Sequence, residues 1–434
     1  VTGPNVVIIY TDDLGWGDLG CFGSTEVETP HLDALAARGV RLTNWYSNSP
    51  VCSPSRAALL TGRHPAHAGV ESILGAARTV SGLPAQPTLA SRLADAGWTT
   101  AIFGKWHLGV APESAPLRHG FGHHLGFRAG CVDYYSHIMY WGGQHPLHDL
   151  WDDDTEIWRN GEYLTDVITD AAVEFIDATP DPFFCYVPYN APHYPMHAPA
   201  EAMAKFAHLP WERQVMAAMI AKVDDGVGRI VEALRRTGRL DDTIIVFSSD
   251  NGPSAEERNW LGGEEIAYPG GSTGGLRGHK GSLFEGGIRV PGIWSWPARL
   301  PRGVVSDEPA MMMDVLPTVL AAAGLSVAVE DEVDGVDLMP LLADGRAPGE
   351  RMLTWEYEGQ LAVRRGRWKL VIDPSDRLGR PRQPGRLLFD LETDPAETTD
   401  RSAARPELMA ELAAAAAAWA DDLERWRSAA IPAG

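Results

Sequence analysis

Two short acidic runs stand out for the chemistry they could do. Thr11-Asp12-Asp13 closes the first strand-like segment, and Ser248-Ser249-Asp250-Asn251-Gly252 closes a later one. If the two strands are neighbours, Asp12, Asp13, Asp250 and Asn251 form an all-oxygen set of three carboxylates and an amide. Such a set suits a hard cation, calcium before magnesium, because calcium tolerates mixed ligands at irregular geometry. Taken singly, each run also reads as turn or helix-cap chemistry. Cys52 opens the run Cys52-Ser53-Pro54-Ser55-Arg56, followed by Leu59-Leu60-Thr61-Gly62-Arg63. Pro54 is placed to start a helix, and helix-start N–H groups favour an anionic oxygen on the residue seated there. By itself, a cysteine before a helix is ordinarily a buried thiol.

Three more segments carry candidate acids, bases and anion binders. Gly104-Lys105-Trp106-His107-Leu108-Gly109 ends a predicted strand, and in an extended chain Lys105 and His107 face the same side. Ala191-Pro192-His193-Tyr194-Pro195 holds a histidine between prolines, with little conformational freedom. The Gly-rich run from Leu276 to Gly287 contains Arg277, His279 and Lys280, any of which could meet an anion. The bland alternatives are a surface lysine, a packed histidine and a solvated loop.

The elements that must position these residues follow from periodicity. Apolar or β-branched runs at Val6 to Tyr10, Thr99 to Phe103, Phe183 to Val187, Thr243 to Phe247 and Gly292 to Trp296 read as buried strands. Helical spacing marks His31 to Arg38, Leu89 to Ala96, Thr165 to Ile176 and Trp211 to Arg236. The alternation predicts an α/β fold with a large, mostly parallel sheet sandwiched by helices, its chemistry at the carboxyl ends of strands. His119 to Asn160 and Pro253 to Gly281 read as long loops over a site. From Arg351 to Leu391 the rhythm becomes that of a small antiparallel sheet, and Arg405 to Arg427 is an Ala-rich terminal helix packed back on it. The expected division is a catalytic domain at 1–345 and a C-terminal subdomain at 346–434.

Bulk properties narrow the partners. The 434 residues carry 37 basic and 58 acidic side chains, a formal charge of −21, which argues against a nucleic-acid partner. No apolar run of about 18 residues is present, so no membrane span is expected. Cys21, Cys52, Cys131 and Cys185 are scattered and suggest neither a zinc site nor a disulfide framework. The chain as given opens directly into a strand without an export signal. The compartment stays open between cytoplasm and, if a leader was trimmed, periplasm or exterior.

Read together, the motifs resemble type I sulfatases of the alkaline phosphatase superfamily. Cys52-Ser53-Pro54-Ser55-Arg56 with its Leu-Thr-Gly-Arg tail resembles the family's first signature, and Gly104 to Gly109 the second. The other motifs follow in family order from Asn5 to Pro291, and the C-terminal part also looks like the family's small sheet and helix. The resemblance implies a sulfuric ester hydrolase whose cysteine is oxidised by a formylglycine-generating enzyme to Cα-formylglycine. The hydrate of that aldehyde takes up the sulfuryl group and releases it by collapsing back. It further implies calcium held by Asp12, Asp13, Asp250, Asn251 and the hydrate oxygen at Cys52, with Arg56, Lys105 and Lys280 neutralising sulfuryl charge. The same resemblance implies that His193 protonates the leaving alcohol and that His107 takes the proton that lets sulfate go.

Tyr134, Tyr135, Tyr140, Trp141, Trp151, Trp158 and Trp260 lie in the long loops and could stack on a sugar ring or an aryl group, and core packing accounts for some of them equally well. The resemblance, to a family many of whose members act on glycans, and the wide loop-built mouth favour a carbohydrate sulfate. The rival readings are a phosphonate or phosphate ester hydrolase of the same superfamily, and a non-catalytic binder of sulfated glycans if Cys52 stays unconverted. The histidines at 119, 123, 124, 137, 145 and 148 match no common metal-ligand spacing.

Overall fold

A computed structural model describes residues 3–140, 146–180, 182–256, 259–261, 264–266, 270–327 and 332–430; the side chains at 259–261, 264–266 and 429–430 are left aside. Trp141, His145 and the Trp260 side chain, named above, lie outside this description.

The sheet is built in chain order from β1 (Asn5–Thr11), β2 (Val40–Leu42), β3 (Thr99–Lys105), β4 (His123–Phe127), β5 (Trp151–Asp152), β6 (Thr155–Glu156), β7 (Phe183–Pro188), β8 (Thr243–Ser249), β9 (Gly292–Ser295) and β10 (Val304–Ser306). Their spatial order is β10-β2-β9-β8-β1-β7-β3-β4-β5-β6. The run β8-β1-β7-β3-β4 pairs in parallel. On one flank β9 is antiparallel to both β8 and β2, and on the other β5 is antiparallel to β4. The sheet is therefore mixed, with a parallel centre.

Both faces of that centre are buried, which is why its strands read as continuous apolar runs. Val7 and Ile9 of β1 face one layer, with α1 (Pro30–Ala37), α4 (Leu164–Ala178) and α5 (Trp211–Arg236). Val6, Ile8 and Tyr10 face the other, with α2 (Cys52–Thr61), α3 (Leu89–Asp95) and α6 (Val315–Ala322). The period of two in a strand sends alternate residues to opposite layers.

Two expectations are corrected in the region read as loops. Residues 119–160 contain β4, the outermost strand of the parallel run and only five residues long, together with the short strands β5 and β6. Their His-rich and Asp-rich sequence hides the apolar signal. Within residues 253–281, strands Asn259–Leu261 and Glu264–Ile266 pair with each other. A four-stranded antiparallel sheet follows: β11 (Met352–Tyr357), β12 (Gln360–Arg365), β13 (Trp368–Ile372) and β14 (Arg386–Asp390). Trp355 and Phe389 pack on Tyr46 and Phe284 of the main body, while Val363 and Leu370 pack on Leu412 and Ala416 of α7 (Pro406–Ala430). No helix among the described residues is long and apolar enough to cross a membrane.

Candidate active site

The parallel strands end together, so the residues that leave them meet. Asp12 and Asp13 follow β1, Lys105 ends β3, His193 follows β7, and Asp250 and Asn251 follow β8. The Asp250 N–H donates to Thr11 O at 3.1 Å, and the Asp13 N–H donates to Asp250 Oδ1 at 3.2 Å, which locks the two acidic runs side by side. Asp13 adopts φ 64°, a left-handed conformation uncommon for a residue with a side chain, and this turn directs its carboxyl into the cluster. A Cβ at Gly252 would fall 1.8 Å from Gly286 O, so the backbone after Asn251 passes too close for any other residue.

Cys52 is the first residue of α2, with Val51 as the extended residue before it. The helix thus starts two residues earlier than Pro54 alone suggested, and the thiol sits on its first turn. Its Sγ donates to Asp12 Oδ1 at 3.5 Å. Three cations surround the carboxylates. Lys105 Nζ is 2.6 Å from Asp12 Oδ2, Lys280 Nζ is 3.0 Å from both Asp13 oxygens, and an Arg56 guanidinium N–H donates to Asp250 Oδ2 at 2.7 Å. Arg56 also reaches Lys105 O at 3.3 Å and is wholly buried, so it stands behind the carboxylates it holds. Neither other candidate in the Gly-rich run reaches the cluster. Arg277 lies over the Phe284 ring at 3.8 Å and pairs with Asp376 at 3.5 Å, and His279 faces outward beside Arg377.

His107 takes φ 54°, so the extended geometry that would align it with Lys105 stops at the end of β3. Its Nε2 lies 3.1 Å from Leu74 O and therefore carries the proton, which leaves Nδ1 buried and without a partner among the described residues. A Cβ at Gly130 would come within 2.8 Å of that Nε2, so a glycine is needed where the loop crosses the ring. His193 Nδ1 donates to Tyr194 O at 2.7 Å, and its Nε2 faces Asp13 Oδ2 at 3.7 Å. The Tyr134 hydroxyl, placed between Asn190 O at 3.0 Å and His193 O at 2.9 Å, braces this loop. Tyr134 is thus fully buried scaffolding, whereas Trp158 is 60% exposed and stacked on His148.

Burial sets the electrostatics. It pushes the Asp12 carboxyl up, but Lys105, Arg56 and Lys280 outweigh it and hold that group below the usual range. In Asp13, burial together with the Asp12 and Asp250 charges outweighs Lys280 and raises the carboxyl to about 7. Asp250 is also raised, by burial and by Asp12. Burial first, and then the nearby cations, hold His107 and His193 well below the ordinary imidazole range, so both are neutral at pH 7.

Asp12, Asp13, Cys52 and His193 offer atoms all within 4.8 Å of one another, close enough to share a metal ion. The acidic runs fit one too. Asn251 donates to Asp13 Oδ1 at 2.7 Å while its own Oδ1, fully buried, has no partner among the described residues. Two carboxyls held up in pKa and an orphaned amide oxygen are what crowded hard-ion ligands show without their ion. One participant escaped sequence reasoning. Glu256 is buried and lies 3.5 Å from Lys280 Nζ. A single acid in Pro253-Ser254-Ala255-Glu256 has no pattern that would mark it.

A helix-borne residue thus faces an acidic cluster that could hold a metal ion, at the carboxyl edge of the parallel strands. Residues 4–325 match the family model for sulfatases. The chain is 34% identical over 387 residues to N-acetylgalactosamine-6-sulfatase of Sus scrofa, covering 84% of this chain and 71% of that protein. It is 34% identical over 445 residues to arylsulfatase A of Bos taurus, covering 91% of this chain and 82% of that protein. The crystal structure of Ps i-CgsB in complex with k-i-k-neocarrahexaose is similar throughout, with TM-score 0.84, 30% identity, and coverage of 100% of this chain and 98% of that one. The chain belongs to the sulfatase family and is an enzyme that hydrolyses sulfate esters.

Proposed function

We propose that this sulfatase removes sulfate from a carbohydrate ester, using Cys52 in its formylglycine form and calcium held by Asp12, Asp13, Asp250 and Asn251. The observation that carries the reading is the Cys52 side chain, 3.5 Å from Asp12 on the first turn of α2, facing a carboxylate set with an orphaned amide oxygen. Calcium bound there supplies concentrated positive charge beside position 52. The formylglycine, made from Cys52 by a maturation enzyme, supplies the attacking oxygen as its hydrate.

The remaining work falls to this chain's own residues. Lys105 and Lys280, buried and aimed at the cluster, neutralise sulfuryl charge where low dielectric strengthens each contact. Arg56 holds Asp250 and, at 3.8 Å, faces Asp12, so it positions ligands rather than substrate. The Nε2 of His193 faces the cluster and is bare in the neutral ring, so it serves as the acid for the departing alcohol only after it takes up a proton, which the negative charge of a bound sulfate ester favours. The bare Nδ1 of His107 receives the proton given up at position 52, and its neutrality at pH 7 suits a base.

The carbohydrate assignment is supported by relatives whose names specify N-acetylgalactosamine 6-sulfate and by a structural neighbour bound to a neocarrahexaose. Free sulfate released from N-acetylgalactosamine 6-sulfate by wild-type protein, and none by Cys52→Ala, is the expected result. Intact mass is expected to show a loss of about 18 Da at the peptide containing position 52, the exchange of thiol for aldehyde that activates the nucleophile. Turnover by Cys52→Ala would refute the nucleophile. Faster cleavage of phosphate than sulfate esters of one alcohol would refute the substrate class.

A further inference from the structure

We propose that a basic cleft beside the Lys280 segment binds a second anionic group, a sulfate ester or a uronate carboxylate, on the same saccharide whose sulfate is cut. This rests on the carbohydrate reading above. The cleft, of about 540 Å³, lies between Gly278-His279 and the loop at 376–383. Arg377, Arg380 and Arg382 line it, with Asp376 as the one acidic residue in the lining. In a chain with a formal charge of −21, three arginines within six positions make a local reversal of sign.

The loop that carries them is built rather than loose. The Ser375 hydroxyl lies 3.0 Å from both Arg377 O and Arg380 O, and the Gln383 N–H donates to Pro374 O at 2.8 Å. Arg382 donates to Gly359 O at 2.9 Å, which fixes its guanidinium against the turn between β11 and β12. Arg380 and Arg382 are solvent-exposed.

The same loop is laced to the segment that enters the active site. Leu378 N donates to Lys280 O at 2.7 Å, and His279 N donates to Asp376 O at 3.0 Å. Gln360 ties both sides, donating to Gly281 O at 2.8 Å and accepting from Ser375 N at 2.9 Å. His279, on the cleft wall, is the residue before Lys280, whose ammonium reaches Asp13. One backbone step plus an extended lysine side chain spans on the order of 10 Å, the reach of one or two sugar units. A planar guanidinium fork matches either a sulfate or a carboxylate, and its contacts at an open cleft weaken with salt.

Titration calorimetry of Cys52→Ala, which binds without turnover, tests the cleft with three probes. They are N-acetylgalactosamine 6-sulfate alone, the same sugar joined to glucuronate, and the same sugar joined to a neutral hexose bearing a second sulfate. At low salt the added anion is expected to tighten binding ~10-fold, and Arg377→Gln with Arg380→Gln is expected to reduce that gain to ~2-fold. Whichever added group gives the gain identifies the anion the cleft takes. A gain unchanged by the two substitutions, or no gain from either group, would overturn the proposal. Sulfate release from the same sugars by wild-type protein tests the carbohydrate reading separately. An arginine-dependent gain without any release would sink that reading and leave the cleft standing.

Discussion

The Lys105 ammonium stands 2.6 Å from Oδ2 of Asp12, and neither side chain has any solvent exposure. Removing one member of such a pair strands a buried charge. Lys105→Ala is therefore expected to cost the calcium-free protein ~3 kcal/mol in urea unfolding, since breaking a buried ion pair leaves its partner uncompensated. The loss is expected to shrink with calcium present, because the ion then takes over neutralisation of Asp12. kcat is expected to fall ~100-fold or more with calcium saturating, the usual cost of losing one preorganised charge at a reacting group. An equal stability loss with and without calcium would show that Lys105 does not share Asp12 with the ion.

Calcium itself is expected to hold the folded state. Three buried carboxylates and the unpartnered Asn251 oxygen converge where the ion is proposed, so chelation should lower Tm and calcium should restore it. At a hundredfold excess over Kd the ion contributes about 2.7 kcal/mol by mass action. Asn251→Ala is expected to weaken calcium binding and narrow the Tm gap between calcium and chelator. A Tm unmoved by chelator in fully demetallated protein would exclude calcium from this site. Magnesium, which demands a more regular shell, is expected to restore less.

Much of this site was legible because chemistry and secondary structure coincide in short strings. Asp12-Asp13 and Asp250-Asn251 each follow an apolar run, and strand adjacency brings them together. The helix Trp211–Arg236 was readable because its buried apolar stripe runs from Val215 to Leu234. What stayed hidden depends on tertiary contact. The strand His123–Phe127 has histidines where an apolar signal would normally stand, since neighbours supply its burial. Glu256 joins the site through Lys280, and the pairing of Arg56 with Asp250 at 2.7 Å depends on a neighbour far along the chain. The left-handed turn at His107 gives no sign in sequence, because residues with side chains rarely adopt it.

His107 offers a test of order within the reaction. If its bare Nδ1 accepts the proton that accompanies sulfate release, His107→Ala should still cleave the first ester and then stall. The expected trace is a burst of about one alcohol per active site followed by slow turnover, the sign that the second step has become limiting. Sulfate should remain with the protein during the stall, detectable as added mass. His193→Ala is expected to slow the burst itself, most for poor leaving groups. Loss of burst and steady state together in His107→Ala would place that residue in the first step instead.

A second buried charge cluster, away from the chemistry, fixes the small sheet to the main body. Lys369 Nζ lies 2.8 Å from Glu285 and 2.9 Å from Glu397, all three without exposure, so two carboxylates share one ammonium. Burial opposes ionisation of both, but Lys369, Arg289 and Arg364 bring Glu285 down to about 2. For Glu397, burial and the neighbouring Glu285 outweigh Lys369 and raise it to about 7. The folded protein thus binds a proton at Glu397 that the unfolded chain, at its ordinary value near 4.5, releases earlier. That contribution is complete below about 4.5 and is lost as pH climbs through about 7. Glu397→Gln removes the titration while its amide oxygen can still accept the Glu285 N–H, donated here at 2.6 Å. The stability of Glu397→Gln relative to wild type, read from urea unfolding at fixed calcium, should therefore rise steadily from about pH 5 to about pH 8. The Glu285 contribution is lost only as pH falls from about 4.5 through about 2, below that range, so it does not mask the trend. A difference that stays flat across the range would mean that Glu397 is already ionised at pH 5 and that Lys369 satisfies both carboxylates.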